Sequence, residues 1–311
     1  MIREQPLVSV IIPCYNSAAF VKVAINSIIN QSYQNLEIFL IDDASTDDTL
    51  SVLRAFADKR IKVLDFKINT KKVGAVNEAL KIVNGEFIAF QDSDDYSEPD
   101  RIKYQVGEFL KDNQLGVCFT KYKFCGDKNY VAENVSLSNS DLKSEFLHYQ
   151  YKRKAGHSPT CCPSMMIHKN VISEIGGYHP YFAGKIGEDA HWIYRILKKF
   201  KGITVNEVLY NYYVRKGSLM TEAYAGKNVK FNYSLPLLHL IIKKDVEENI
   251  DVLNATNALA LRDLELQACE MALTDKILDY HNLQLVYENS KSFKIGKKII
   301  GSLMFFKKLF N

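Results

Sequence analysis

Three carboxylates crowd into four positions in "FIAFQDSDDYSEPDR", residues 87 to 101: Asp92, Asp94 and Asp95. Like charges this close repel one another unless a cation or a polar ligand lies between them, so the stretch asks for something positive. On an extended chain residues two apart point to the same side, which turns Asp92 and Asp94 toward one pocket. Hard oxygen donors too few to complete a shell suit magnesium or manganese shared with a diphosphate. A structural role competes with that chemistry: the same residues make a polar turn capping a helix that begins near Pro99, with Ser97 or an aspartate as the N-cap.

A second acidic pair, Glu188 and Asp189, opens "GEDAHWIYRILKKF" (187–200), which reads as an amphipathic helix with Trp192, Ile193, Ile196 and Leu197 on its apolar side. Carboxylates in a first helical turn stabilise the helix dipole by up to about 1 kcal/mol. A carboxylate can also take the proton of an attacking hydroxyl. His157 and His168 stand alone and read as structural.

The elements that would hold these residues alternate. Strands are expected at 7–13, 36–42, 61–66, 86–90 and 115–122, separated by segments with helical spacing such as Phe20, Val21, Ala24, Ile25 and Ile28. Strand and helix in alternation imply a doubly wound, mostly parallel α/β sheet, whose ligands bind beyond the carboxyl ends of the strands. The polar stretches "PCYN", "DDASTDD" and "QDSDD" follow the first, second and fourth strands. A further strand is expected at 164–168, and from about 223 onward helical patterns replace β-rich ones.

The order and spacing of "VSVIIPCYN", "IDDASTDDT", "GAVNEALKIVNGEFIAFQDSDDYSEPDR", "GGYHPYFAGKIGEDAHWIYRI" and "LYNYYVRKGSLM" resemble family-2 glycosyltransferases of the GT-A fold. The resemblance covers about residues 6–220. It implies a glycosyltransferase domain over 1–222, with a nucleotide-binding half at 1–124 and an acceptor half at 125–222; the helical patterns beyond it, which have no counterpart in the resemblance, make a helical region at 223–311. Residue by residue it places Pro13 and Tyr15 at the nucleobase, Asp43 on the base's imide proton, Asp92 on the ribose and Asp94 on Mn2+ or Mg2+. Asn16 and Ser93 lie inside the same motifs and join the donor-binding set. Asp189 matches the general base of inverting members, Glu188 and Trp192 are placed toward the acceptor, and Arg215 falls where relatives close over the donor.

Alternatives stay open beside these roles. Asp43, Ser45 or Thr46 could cap the second helix instead. Members of the family commonly carry a glycine two residues after Asn69 and an arginine before Asn77, where this chain has Lys71 and Val76. Lys71 or Lys72 could then supply the cation for the phosphates.

Composition is that of a globular protein, with 47% hydrophobic and 24% charged residues. The apolar run Leu7–Ile12 is too short for a signal peptide or a membrane span, so a cytoplasmic protein is expected. The six cysteines show no CxxC pair and read as reduced, buried thiols. The net charge of +4 resides in residues 291–311, which hold six lysines and no acid. Their apolar residues gather on one half of a helix and most lysines on the other, the pattern of a helix lying on a membrane surface, or of one packed on protein or on a second subunit. Nucleic acid is not an expected partner, because the remainder of the chain is slightly acidic.

The expectation is therefore a bacterial, inverting, metal-dependent glycosyltransferase at the inner face of the cell membrane. It would move a sugar from a nucleotide donor, UDP-linked, to a glycan or lipid-linked glycan in surface polysaccharide biosynthesis. A nucleotide-sugar-binding protein of the same fold without transferase activity is the alternative. A dinucleotide-dependent dehydrogenase is disfavoured, because no GxGxxG follows the first strand.

Overall fold

The computed structural model describes residues 5–126, 142–152, 160–216, 218 and 229–289. The basic segment 291–311 and His157 lie outside the described residues.

The first strands form where the sequence is continuously apolar: β1 (Val8–Cys14), β2 (Leu36–Asp43), β3 (Ile61–Phe66) and β4 (Phe87–Phe90). β1, β2 and β4 are buried along almost their whole length, as a parallel sheet covered on both faces requires. Each fully buried Val, Ile or Phe side chain there contributes roughly 1.5–3 kcal/mol. Helix α1 (Val21–Ile29) turns Val21, Ala24, Ile25 and Ile28 inward. Helices α2 (Thr49–Arg54), α3 (Lys71–Leu80) and α4 (Arg101–Lys111) complete the crossovers.

Register brings the strand ends together. Cys14 stands beside Asp42, Asp43 beside Phe66 and Ile11 beside Phe90, so the polar stretches after β1, β2, β3 and β4 emerge along one edge.

The sheet has eight strands among the described residues, ordered β3-β2-β1-β4-β7-β6-β8-β5, with β5 at Tyr96–Ser97, β6 at Leu115–Gly126, β7 at Met166–His168 and β8 at Lys201–Val214. β7 runs antiparallel to β4 and β6, and β5 antiparallel to β8, so the sheet is mixed but mostly parallel. Because Met166 pairs with Ala89, the 3-10 turn Cys162–Ser164 just before β7 arrives at the carboxyl end of β4.

β6 and β8 pair in parallel, with a bulge in the middle. Thr120 stands opposite Val205, Lys121 opposite Val208 and Tyr122 opposite Tyr210, so β8 carries extra residues, among them the exposed Asn206 and Glu207.

Helix α5 (Leu142–Lys152) and helix α6 (Asn170–Ile175) lead to α7 (Glu188–Lys199), whose buried side is His191, Trp192, Ile193, Tyr194, Ile196 and Leu197. The helix Val229–Glu248 packs on α5 and α7, and Asp245 accepts from the Tyr194 hydroxyl at 2.6 Å and from Lys198 at 2.8 Å. The first compact unit therefore runs to Ile250, past the 222/223 division expected from the sequence. In the second unit, Asn254 caps a short 3-10 turn through Thr256 N–H, and the helix Ala258–Asn289 follows.

Candidate active site

The loops after β1 and β2 are stitched to each other. Asn16 takes a left-handed φ of 49° and its side-chain oxygen accepts from Thr46 N–H at 2.8 Å. Ser17 N–H donates to Thr49 Oγ1 at 2.7 Å, and Ala18 N–H to Asp47 Oδ2 at 3.2 Å. Asn16 thus spends its carbonyl on fixing the loop, while Pro13 is partly buried and Tyr15 stands half exposed beside it. Asp43, at the end of β2, is buried and does not cap α2, which follows Asp48. Its Oδ1 accepts from both the backbone N–H and the hydroxyl of Thr70, at 2.7 and 2.8 Å. Two donors on one oxygen fix the carboxylate plane.

The acidic turn after β4 answers the question that its sequence raises, because side-chain cations sit on two of its three carboxylates. Lys72, near the start of α3, places its ammonium 2.8 and 3.1 Å from the two oxygens of Asp92. Arg215, just past β8, donates from Nε to Asp94 Oδ2 at 2.9 Å. Asp95 has no cation among the described residues: it is buried and accepts from the Tyr210 hydroxyl and from Tyr213 N–H, both at 2.8 Å. Burial, with Asp92 and Asp94 adding repulsion, holds the Asp95 carboxyl well above the usual range. Asp94 is raised by burial and by Asp92, against the pull of Arg215. Ser93 is partly buried between them.

The turn is not a helix cap. Asp100 precedes α4, and Ser97 donates its hydroxyl to Gln91 Oε1 at 2.6 Å. The Tyr210 hydroxyl also accepts from Gln91 Nε2 at 3.2 Å and from Asp92 N–H at 3.3 Å, which uses its full hydrogen-bonding capacity.

Glu188 and Asp189 reach the same place from the other side. Gly187 carries a φ of +105° and lies where an added Cβ would come 3.0 Å from Leu238 Cδ2, so glycine is the residue that lets α7 begin here. Asp189 Oδ1 accepts from Ala190 N–H at 2.6 Å. Burial and the neighbouring Asp189 push Glu188 up to about 7, and Lys72 opposes them. Burial disfavours the charge on Lys72, but Asp92, Cys162, Glu188 and Asp189 outweigh it and raise its pKa. Lys72 therefore stands in the field of both acidic groups at once.

Several expected residues lie elsewhere or do something else. Trp192 is fully buried, with its indole N–H on Gly176 O at 2.9 Å and its ring edge-on to Phe90 and Tyr178, so it offers no surface to an acceptor. Apolar burial of α7 outranks display of the ring. Lys71 is exposed with a φ of 63°; Lys72 is the lysine that meets an aspartate. Arg195 donates to the carbonyls of Gly177 and Ile175 and braces the helix. His168 accepts from Asn170 N–H at 3.1 Å and lies against Phe87 and Phe109. Among the described residues, no three His, Cys, Asp or Glu side chains are gathered as a preformed metal shell.

Sequence reading missed Thr70 and Tyr210, and it named Asp95 without its partners. The adjacency of Asp95 to Asp94 was visible, but its partners come from β8, more than a hundred residues away.

The model of the glycosyl transferase family 2 matches residues 9–176, more than half of the chain. The chain belongs to this family. An uncharacterized glycosyltransferase of Haemophilus influenzae is 38% identical to this family-2 chain over 146 residues, which cover 46% of the chain and 57% of that protein. The UDP-Glc:alpha-D-GlcNAc-diphosphoundecaprenol beta-1,3-glucosyltransferase WfaP of Escherichia coli is 29% identical over 213 residues, 68% of the chain and 79% of WfaP. Among solved structures, the mannosyltransferase PcManGT of Pyrobaculum calidifontis, in complex with GDP-Man and Mn2+, superposes with a TM-score of 0.56 at 19% identity, covering 97% of the chain and 86% of PcManGT. That likeness carries the GT-A fold.

Proposed function

We propose that this family-2 member is an inverting glycosyltransferase that moves a sugar from a UDP-linked donor to a hydroxyl of a lipid-linked glycan, in surface polysaccharide biosynthesis. The observation that carries the proposal is the convergence on Lys72 of two acidic groups from distant segments, Asp92 of the turn after β4 and Glu188–Asp189 of α7. In this reading the candidate base stands across Lys72 from the donor carboxylates, which supports transfer rather than binding alone. The sequence relationship to WfaP, whose name gives UDP-glucose and a diphosphoundecaprenol-linked acceptor, supports the choice of donor and acceptor.

Each residue has a role in this reading. Asp43, held by Thr70, turns an oxygen toward the imide N–H of uracil, with Pro13 and Tyr15 beside the base. Asp92 accepts from the ribose hydroxyls. Asp94, with Asp92 near it, suits a divalent cation: its carboxylate is a hard donor beside another of its kind, and the diphosphate supplies the remaining oxygens. When bound, that cation neutralises charge on the leaving diphosphate. Asp189 takes the proton of the acceptor hydroxyl as it attacks, and Glu188 bonds the acceptor sugar. Trp192 has no part in binding.

The test is transfer from a panel of nucleotide sugars, first ranked by thermal shift with manganese, to a diphosphate-linked lipid glycan. Asp189→Asn keeps size but cannot take a proton, so it should bind donor as the wild type does and lose about 10²- to 10⁴-fold in rate. Equal transfer by the variant overturns the base assignment. A wild type that binds donor yet transfers nothing to any acceptor supports the non-catalytic alternative.

A further inference from the structure

A short strap, residues 175–178, leads from the end of α6 toward α7 and is fastened from two sides. From α7, the Trp192 indole donates to Gly176 O at 2.9 Å, and Arg195 donates to Gly177 O at 3.0 Å and to Ile175 O. From α3 comes Asn77. Its Nδ2 donates to Tyr178 O and its Oδ1 accepts from Tyr178 N–H, both at 2.9 Å. The amide thus pairs with a backbone peptide as a neighbouring strand would, with a donor and an acceptor in one plane. The approach is close: a Cβ added at Gly177 would come 2.2 Å from Asn77 Oδ1. Tyr178 itself is buried, with its ring centroid 4.7 Å from that of Trp192 and its hydroxyl 3.4 Å from Cys162 Sγ.

We infer that Asn77 is a positioning residue for the proposed base: its clamp on Tyr178 holds α7 at a fixed separation from α3, which keeps Asp189 across Lys72 from the donor carboxylates. The inference rests on the role proposed above for Asp189.

The reason lies in what each helix carries. Lys72 of α3 sits on Asp92, and α7 opens with Glu188 and Asp189, so the spacing of the two helices sets the spacing of donor and base. The bonds that order the donor side, Asp43 with Thr70, Lys72 with Asp92 and Arg215 with Asp94, use no atom of the strap. Loss of the clamp therefore spares donor binding. Proton transfer is more exacting, because a misplacement of about 1 Å at the reacting groups can cost about 10²-fold in rate. Asparagine suits the position: aspartate would turn an acceptor toward the Tyr178 carbonyl, and glutamine is one carbon longer in a contact already close. Trp192, sealed from any acceptor, acts on the same strap from the other side.

The experiment compares the full-length wild type with Asn77→Ala and with Trp192→Phe, which keeps a large ring, loses the N–H on Gly176 and stands in should the alanine variant unfold. UDP affinity is measured by calorimetry with Mn2+, and transfer from UDP-glucose to a GlcNAc-diphospholipid at saturating donor. Asn77→Ala should bind UDP within about twofold of the wild type and lose about 10- to 100-fold in kcat, and Trp192→Phe should show the same split at several-fold. A double-mutant cycle then separates positioning from mere stability. In an Asp189→Asn background, Asn77→Ala should cost no more than a few-fold further, because the group it positions is gone. An equal cost in both backgrounds, or a parallel loss of UDP affinity, overturns the inference. Amide hydrogen exchange needs no acceptor: residues 187–196 should exchange on the order of tenfold faster in either variant, with β1 and β4 unchanged. Unchanged exchange at 187–196 overturns the clamp. If Asp189→Asn transfers as the wild type does, the base assignment fails and takes the inference with it; if Asp189→Asn is impaired and Asn77→Ala is not, the clamp alone fails.

Discussion

Lys72 Nζ lies 2.8 and 3.1 Å from the two carboxylate oxygens of Asp92, and the same ammonium opposes the burial that raises Glu188. One side chain of α3 therefore sets the electrostatics of a donor carboxylate and of the acidic start of α7. Lys72→Met removes that charge while keeping the aliphatic stem. The acid limb of the transfer rate should move to higher pH, because Glu188, which bonds the acceptor in the proposed reading, then holds its proton more tightly. A pH–rate profile that does not move would confine Lys72 to the Asp92 side of the site.

Glu188 also predicts how stability responds to pH. Its folded value of about 7 lies above its ordinary 4.5. Between those values the folded chain keeps a proton that the unfolded chain has released, so this group's contribution to stability falls as pH rises through the window. Glu188→Gln never ionises and should flatten that part of the curve. Thermal midpoints of both proteins from pH 4.5 to 7.5 check it; parallel curves would mean that Glu188 is not held in its neutral form.

Removal of the carboxylate at Asp94 should act on ligand binding and leave the fold intact, since the side chain is partly exposed and caps no helix. Calorimetry of Asp94→Asn with UDP should show the manganese-dependent part of the affinity lost and the manganese-free part retained. An affinity that still responds to manganese would place the metal on Asp92, since both oxygens of Asp95 are engaged.

The segment 291–311 makes a prediction from sequence alone. Each lysine near an anionic bilayer contributes on the order of 1 kcal/mol, and the apolar half adds burial. Truncation after residue 290 should abolish salt-sensitive sedimentation with anionic vesicles and leave donor binding unchanged. Equal sedimentation of truncated and full-length chains would assign the segment to protein packing. No described helix is long and apolar enough to cross a membrane.

Much of this was legible because it is local. The strands after which "PCYN", "DDASTDD" and "QDSDD" emerge are continuous apolar runs, and parallel pairing then gathers their ends without further information. Glu188 and Asp189 were legible as the start of an amphipathic helix. The misplacement of Trp192 has a simple cause: the resemblance placed it toward the acceptor, whereas its position on the apolar side of α7 decides its burial. The choice between Lys71 and Lys72 turned on the left-handed backbone at Lys71, which no spacing rule announces. The roles of Tyr210 and Asp95 were invisible for a different reason. A tyrosine in a strand normally signals β-propensity, and only the pairing of β8 across the sheet shows what its hydroxyl meets.

The bulge in β8 gives this strand a reading frame. Five steps along β8, from Val205 to Tyr210, stand against two along β6, from Thr120 to Tyr122, and the odd difference sets which face every later side chain presents. Tyr210, Tyr213 and Arg215 all lie downstream of it and all close on the acidic turn. Deleting one residue at the exposed Asn206–Glu207 position removes nothing that touches the site, yet it would shift the frame and turn the three partners away together. A double change that deletes one residue there and inserts one before Tyr210 would restore the phase, much as a second frameshift rescues a gene.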